Sequence, residues 1–141
     1  MNLQEMKTRT ENLAEELGGS PDNMGAVIGN LSSEALRKAL NGENEADSAK
    51  IESFFTAREY AFSVYTEEQC DIIKQFEKRI LEKGGMSKAL ENSGISPSTM
   101  SSLRRGTYKG VTENVFSKIS SFLELKDENS KVYKHSGYVP T

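Results

Sequence analysis

The chain of 141 residues has no tryptophan, three prolines, one histidine (His135) and one cysteine (Cys70). A single cysteine excludes an internal disulfide framework, and a lone histidine gives no ligand set at metal-site spacing. We therefore expect no metal and no cofactor, and we predict that the protein is not an enzyme. No apolar run approaches the roughly 18 residues that cross a membrane, and no signal-peptide pattern opens the chain. These absences predict a cytoplasmic protein without membrane contact.

The chain contains a series of amphipathic segments in which apolar residues recur at helical spacing. Hydrophobic residues make up 35% and charged residues 28% of the sequence, as in small helical proteins. The spacing predicts helices over residues 3–17, 23–29, 33–40, 48–65, 67–83 and 97–105, a short helix from residue 86, and a last helix from residue 112. No segment has the alternation of a strand, so the sequence predicts an all-α fold.

Residues 86–105, MSKALENSGISPSTMSSLRR, have the pattern of a helix-turn-helix. Gly94 stands where a tight turn requires a positive φ, and Ile95 is predicted to enter the core between the two helices. Ser96 is a natural N-cap, and Pro97 suits the first helical position because its missing N–H is not needed there. The spacing therefore predicts a second helix whose position is fixed by this turn.

The outer face of this second helix is predicted to contact DNA, because a short helix with small hydroxyl residues and terminal arginines suits the major groove. Hydroxyls can bond to phosphates or base edges, and arginines to phosphates or guanine. Ordinary capping, solvation and a favourable helix dipole would explain the same residues without a ligand. The predicted DNA-contacting set, including the loop that follows the helix, is Ser98, Thr99, Ser101, Ser102, Arg104, Arg105, Tyr108 and Lys109.

The motif resembles the lambda-repressor-like (Xre-type) helix-turn-helix family. The resemblance is carried by LENSGIS at residues 90–96, STMS at residues 98–101 and the Arg-Gly ending at residues 105–106, within a region of about residues 67–125. Leu90 departs from the family's usual small residue, and Arg104 from its usual acidic one. The resemblance implies a double-stranded DNA-binding fold, and transcription regulation as a role.

The chain also contains an internal echo, since KIESFF at residues 50–55 is similar to KISSFL at residues 118–123. This pattern predicts two tandem helical domains of helix-turn-helix type, over residues 1–65 and 66–128, followed by a flexible tail or linker at 129–141. Chance similarity between amphipathic helices is the alternative. Tandem helix-turn-helix domains ahead of a further domain would be similar to the N-terminal region of Mu-like transposition target-DNA-binding ATPases, which implies a role in transposition or phage DNA transactions.

The two predicted domains differ in charge. Residues 1–65 hold 6 basic and 11 acidic side chains, whereas residues 86–118 hold five basic and two acidic ones. Because phosphate attraction is local, we predict that the second domain binds DNA. Glu34 stands at the matching helix start of the first copy, so this acidic domain is predicted to be degenerate and to hold a protein partner or a second copy. Contact of Arg37 and Lys38 with the DNA backbone is the alternative for this domain. The alternative function is a protein–protein adaptor built from two degenerate domains.

Overall fold

The computed structural model describes residues 1–130, with side chains through residue 124. Its helices, in chain order, are α1 Leu3–Leu17, α2 Gly25–Gly29, α3 Ser33–Leu40, α4 Glu45–Val64, α5 Glu67–Lys83, α6 Met86–Ala89, α7 Pro97–Arg104 and α8 Thr112–Ser130, with a 3-10 turn at Pro21–Asn23 before α2. The prediction of an all-α fold is confirmed, since residues 1–130 contain no strand. Of the predicted tail, residues 129–130 end α8, and residues 131–141 with His135 lie outside the described part.

Local capping chemistry explains where most helices begin and end. The Thr66 hydroxyl accepts the N–H of Gln69, and the Gln69 side chain accepts the N–H of Thr66, so a complete capping box starts α5. Ser32 caps α3 by accepting the N–H of Ala35 at 3.0 Å. Gly84 ends α5 with a φ of 84°, a conformation that glycine adopts without a steric penalty. These bounds agree with the predicted ones.

Two predicted bounds are wrong. α4 begins at Glu45, three residues before the predicted start, because Asn44 caps it by accepting the N–H of Asp47 at 3.0 Å. Acidic side chains in a first helical turn also complement the helix dipole, so part of the acidic loop is a helix start. The segment predicted as one helix at residues 23–29 is divided, because Pro21 at the first position after the Ser20 cap starts a separate 3-10 turn.

The same order of helices occurs twice along the chain. α1 to α4 have 15, 5, 8 and 20 residues, and α5 to α8 have 17, 4, 8 and 19. α3 and α7 are both capped by serine, and both are followed by a glycine with positive φ, 80° at Gly42 and 75° at Gly106. This parallel supports the internal repeat. The derivation of both halves from helix-turn-helix domains stays a prediction.

The buried residues of both halves belong to one hydrophobic cluster. It joins Met24 and Ile51 of the first half to Ile73, Phe76 and Met100 of the second. α5 contacts both α1 and α2, and α7 contacts α4. The predicted division at residues 65 and 66 therefore falls within one continuous core, and the organisation into two domains stays a prediction.

Candidate nucleic-acid interface

The turn between α6 and α7 has the predicted backbone geometry. Gly94 has a φ of 74°, and the nearby Asn92 has a φ of 66°. The Ser93 hydroxyl accepts the N–H of Ile95 at 3.0 Å, and Ile95 is buried in the core. Lys118 of α8 donates to the carbonyl of Gly94 at 3.1 Å. These contacts fix the direction in which the chain enters α7.

Contacts at both ends hold α7 against the core. The Ser96 hydroxyl accepts the N–H of Thr99 at 3.1 Å, and Met100 and Leu103 are fully buried beneath the helix. Near its C-terminus, the Tyr65 hydroxyl at the end of α4 donates to the carbonyl of Leu103 at 2.6 Å. Burial raises the pKa of the Tyr65 hydroxyl above its ordinary value, so this donor, which is protonated at neutral pH in any case, stays protonated further into the alkaline range. α7 is thus a fixed surface element.

Most of the predicted DNA-contacting residues lie at the surface of α7 and the loop after it. Ser98, Arg105 and Lys109 are exposed, and Thr99 and Ser102 are half-buried. These positions fit the predicted face. Their contact with DNA stays a prediction.

Two further half-buried residues of this set lie at its margins. Ser101 lines a cavity between α7 and α4, and its hydroxyl accepts a hydrogen bond of 2.9 Å from Arg105 Nη2. The ring of Tyr108 folds over Gly110, so that a Cβ at residue 110 would clash with it. Tyr108 and Lys109 therefore present one packed ring and one exposed ammonium in the loop after α7.

Arg104 does not face outward, and this part of the prediction is wrong. Its side chain is only 10% exposed, and Nη2 donates to Glu77 Oε2 at 3.0 Å and to the carbonyl of Val27 at 2.9 Å. Arg104 turns inward because Glu77 of α5 is 1% exposed, and a buried carboxylate requires cationic partners. Its guanidinium therefore holds α7 to α5 and α2 and is not free for phosphate.

Glu77 is the centre of a charged network between the two halves. Its second main partner is Arg58 of α4, which donates through Nε at 3.0 Å and Nη2 at 2.7 Å. Arg58 also donates to Glu16 of α1 at 3.1 Å, and Lys74 pairs with Glu16 at 3.2 Å. Although partial burial raises the pKa of Glu16, the two cations outweigh it and hold that pKa below its usual value.

Two features of the sequence indicate this network: the position of Glu77 on the inner side of α5, and the alignment of Arg104 with an inward residue of the first copy. Glu77 lies four residues after Ile73 and three before Ile80, within the stripe of α5 that enters the core. Arg104 stands to Met100 and Leu103 as Leu40 stands to Leu36 and Ala39 in the first copy. Because Leu40 is predicted to face inward, aligning the two copies places Arg104 inward as well.

The charges around α7 differ from those around its counterpart α3. α7 carries no acidic residue in its first turn, and its surface is bounded by Arg105 and Lys109 at one end and Lys118 beside the turn. α3 carries Glu34 in its first turn, paired with Lys38 at 3.2 Å. α3 also has an exposed arginine, Arg37, so the two helices differ in the carboxylate that α3 carries and α7 lacks.

No protein-family model, curated protein sequence or solved structure matches the chain. Within residues 1–130, no helix is both long and apolar enough to span a membrane. The same part of the chain contains no group of three or more histidine, cysteine, aspartate or glutamate side chains that could hold a metal ion. The features that indicate a function are therefore the geometry and charge of the helix surfaces.

Proposed function

We propose that the protein binds double-stranded DNA with α7 in the major groove. The observation that carries this proposal is the outer face of α7, where hydroxyl side chains and an exposed arginine occur without any carboxylate. A helix of eight residues that projects from a tight turn matches the docking element of helix-turn-helix proteins. The side chains that would approach base edges or phosphates are Ser98, Thr99, Ser102 and Arg105.

Phosphate contacts would come from the two ends of this surface. Lys109 is exposed in the loop after α7, and Lys118 lies beside the turn before it. Cations placed on both sides of a recognition helix can contact the backbones that border the groove, and such contacts set its register on the duplex. Arg104 is left out of this interface because it is paired with Glu77, and its role is to position α7.

The experiment is a fluorescence-anisotropy titration of labelled duplex DNA at several salt concentrations. Replacing Arg105 and Lys109 together with alanine should weaken binding and lower the salt slope by about 0.9 for each phosphate that is no longer neutralised. The matched control is Arg37→Ala, an exposed arginine on α3, which should leave both affinity and slope unchanged. Equal weakening by the control, or unchanged binding by the folded double variant, would exclude this surface.

A protein–protein adaptor is the second candidate, and one observation favours it. Tyr60 and Val64, one turn apart on α4, are 54% and 53% exposed, and Val111 before α8 is 61% exposed. Exposed apolar side chains of this size occur at protein interfaces. If the chain fails to bind duplex DNA even at low salt, and Tyr60→Ser with Val64→Ser abolishes self-association measured by sedimentation, the adaptor function replaces DNA binding.

A further inference from the structure

A cavity of about 210 Å³ lies between α4 and α7, on the flank of α7 that faces the first half. α4 contributes Lys50 and Ser53 to its lining, and α7 contributes Ser101 and Arg105. The space exceeds that of a few water molecules, which each occupy about 30 Å³ in the liquid. An ion of several non-hydrogen atoms can therefore enter between the two helices.

Positive charge exceeds negative charge around this cavity. Glu77 is its one lining carboxylate within the described residues, and both of its oxygens already accept hydrogen bonds from Arg58 and Arg104. Lys50 and Arg105 both line the cavity, and neither forms an ion pair in the part of the chain that the structure describes. Both side chains are exposed, but two cations at the same cleft attract an anion more strongly than one cation does, because a cleft lined by one sign of charge concentrates the electric field.

A buried donor without a partner lies at the same place. Arg104 lines the cavity with a side chain that is 10% exposed, yet its Nε forms no hydrogen bond among residues 1–130. Buried charged donors normally have a hydrogen-bond acceptor, and a buried donor without one destabilises the fold. This Nε exposes less than 1 Å² to solvent, so an oxyanion in the cavity would act on it through its charge and not as a hydrogen-bond acceptor.

We propose that this cavity binds a small phosphate-type anion, either inorganic phosphate or a phosphate monoester. A phosphate group carries close to two negative charges and three acceptor oxygens, which suits two free cations together with the hydroxyls of Ser53 and Ser101. A carboxylate would supply one charge and two oxygens. The ring of Phe54 also lines the cavity and provides an apolar wall for the organic part of a monoester. The proposal does not depend on DNA binding.

The test is a titration of the ¹⁵N-labelled full chain with inorganic phosphate, without DNA and at ionic strength held constant with chloride. We expect saturable shifts of the Ser53 and Ser101 amides and of the Arg104 Nε–Hε signal. Lys50→Gln and Arg105→Gln should each weaken the fitted affinity about tenfold, the usual effect of removing one charged hydrogen bond. Arg37→Gln, which removes an exposed charge elsewhere, should leave the affinity unchanged.

Further arms of the titration separate the possible ligands. A phosphate monoester should produce saturable shifts at the same signals, and acetate should not. Shifts that grow linearly and spread over the surface would overturn the proposal, as would tighter saturation by acetate or unchanged affinity in the folded Lys50→Gln variant. Movement of the Arg104 signal with duplex DNA but not with phosphate would also overturn it, because the cavity would then belong to the DNA interface.

Discussion

Arg104 and Arg105 are neighbours in sequence, yet they have different physical roles. Arg104 has a nearly buried guanidinium that contacts Glu77 and the carbonyl of Val27, whereas Arg105 is exposed and bonds to Ser101. The difference follows from the helical rotation of about 100° between adjacent residues, which turns one side chain toward the core and the next toward solvent. At the end of α7, the charge of Arg104 therefore stabilises the fold, whereas the charge of Arg105 is available at the surface.

The two arginines should consequently respond differently to truncation. Arg104→Ala should lower the free energy of unfolding by about 3–5 kcal/mol, because it leaves Glu77 buried with one of its two cations removed. Arg105→Ala should change that free energy by less than about 0.5 kcal/mol, as surface substitutions usually do. Urea denaturation of both variants beside the unchanged protein measures the difference. Equal effects would mean that the Arg104–Glu77 pair does not stabilise the fold.

Glu16 should make stability depend on pH. Arg58 and Lys74 outweigh the effect of partial burial and lower the native pKa of Glu16. Its ion pairs are therefore favourable at neutral pH, and this contribution is lost as the pH falls through the lowered native pKa. Because the carboxylate is partly exposed, Glu16→Gln should cost at most about 1 kcal/mol at neutral pH, and the difference from the unchanged protein should vanish in acid.

The matched control for this pH effect is Glu15→Gln. Glu15 is exposed and forms no ion pair within residues 1–130. Chemical denaturation at neutral and acidic pH should therefore give nearly the same free energy of unfolding for Glu15→Gln and the unchanged protein. A difference for Glu16→Gln that persists undiminished in acid would show that its ion pairs are not the cause.

At the scale of the element, the position of α7 depends on the turn before it. Gly94 has a φ of 74°, and a Cβ built there would meet nothing closer than 3.6 Å, at Lys118 Nζ. A substitution at this position is therefore opposed by backbone strain and not by lack of space. The turn can be tested without removing any packing contact.

Gly94→Val should lower the free energy of unfolding by about 1–3 kcal/mol, because a β-branched residue is strained at this φ. Asparagine tolerates the left-handed conformation, as Asn30 and Asn92 show with φ values of 56° and 66°. Gly94→Asn should consequently retain most of the stability and, if α7 reads DNA, the affinity. Thermal unfolding and the anisotropy titration check both. Equal destabilisation by the two variants would exclude strain as the cause.

Elements defined by local chemistry could be predicted from sequence, and contacts between distant elements could not. The bounds of α1, α3 and α5, the Thr66 capping box and the positive φ of Gly94 follow from residues within a few positions of each other. The start of α4 escapes prediction because Asn44 and its acidic neighbours have the composition of a loop. Helical spacing places Arg104 on the side of Met100, four residues before it, but its pairing with Glu77, 27 residues away, is not contained in the sequence of α7.

The candidate interface divides in the same way. Exposure of Ser98 and Arg105 is predictable from the stripe formed by Met100 and Leu103, and exposure of Lys109 from its place in the polar loop after α7. The cavity that Ser101 lines is not predictable, because its other wall is α4 of the first half. The sequence therefore predicts which residues form the outer face of α7, but the side of α7 that faces α4 is determined by tertiary packing.

At the scale of the whole molecule, the repeated order of helices does not give two separate cores. One hydrophobic cluster includes residues of both halves, and Glu77 of α5 joins α4 and α7 through Arg58 and Arg104. A DNA surface on α7 would thus be supported by contacts from the acidic half. This arrangement assigns the first half a structural role in holding α7, whether or not it also binds a partner.

The continuous core predicts that both halves unfold together and that Glu77 couples them. Glu77→Gln should lower the free energy of unfolding by about 3–5 kcal/mol, because it leaves two guanidinium groups without their carboxylate. Native-state hydrogen exchange should show the same decrease at the buried amides of Ile51 and Ile119, one in each half. Glu59→Gln, which alters an exposed pair with Arg9, should change neither amide by more than about 0.5 kcal/mol. If Ile119 loses protection in Glu77→Gln while Ile51 keeps it, the halves are separate folding units, and the division at residues 65 and 66 is one of packing as well as of sequence.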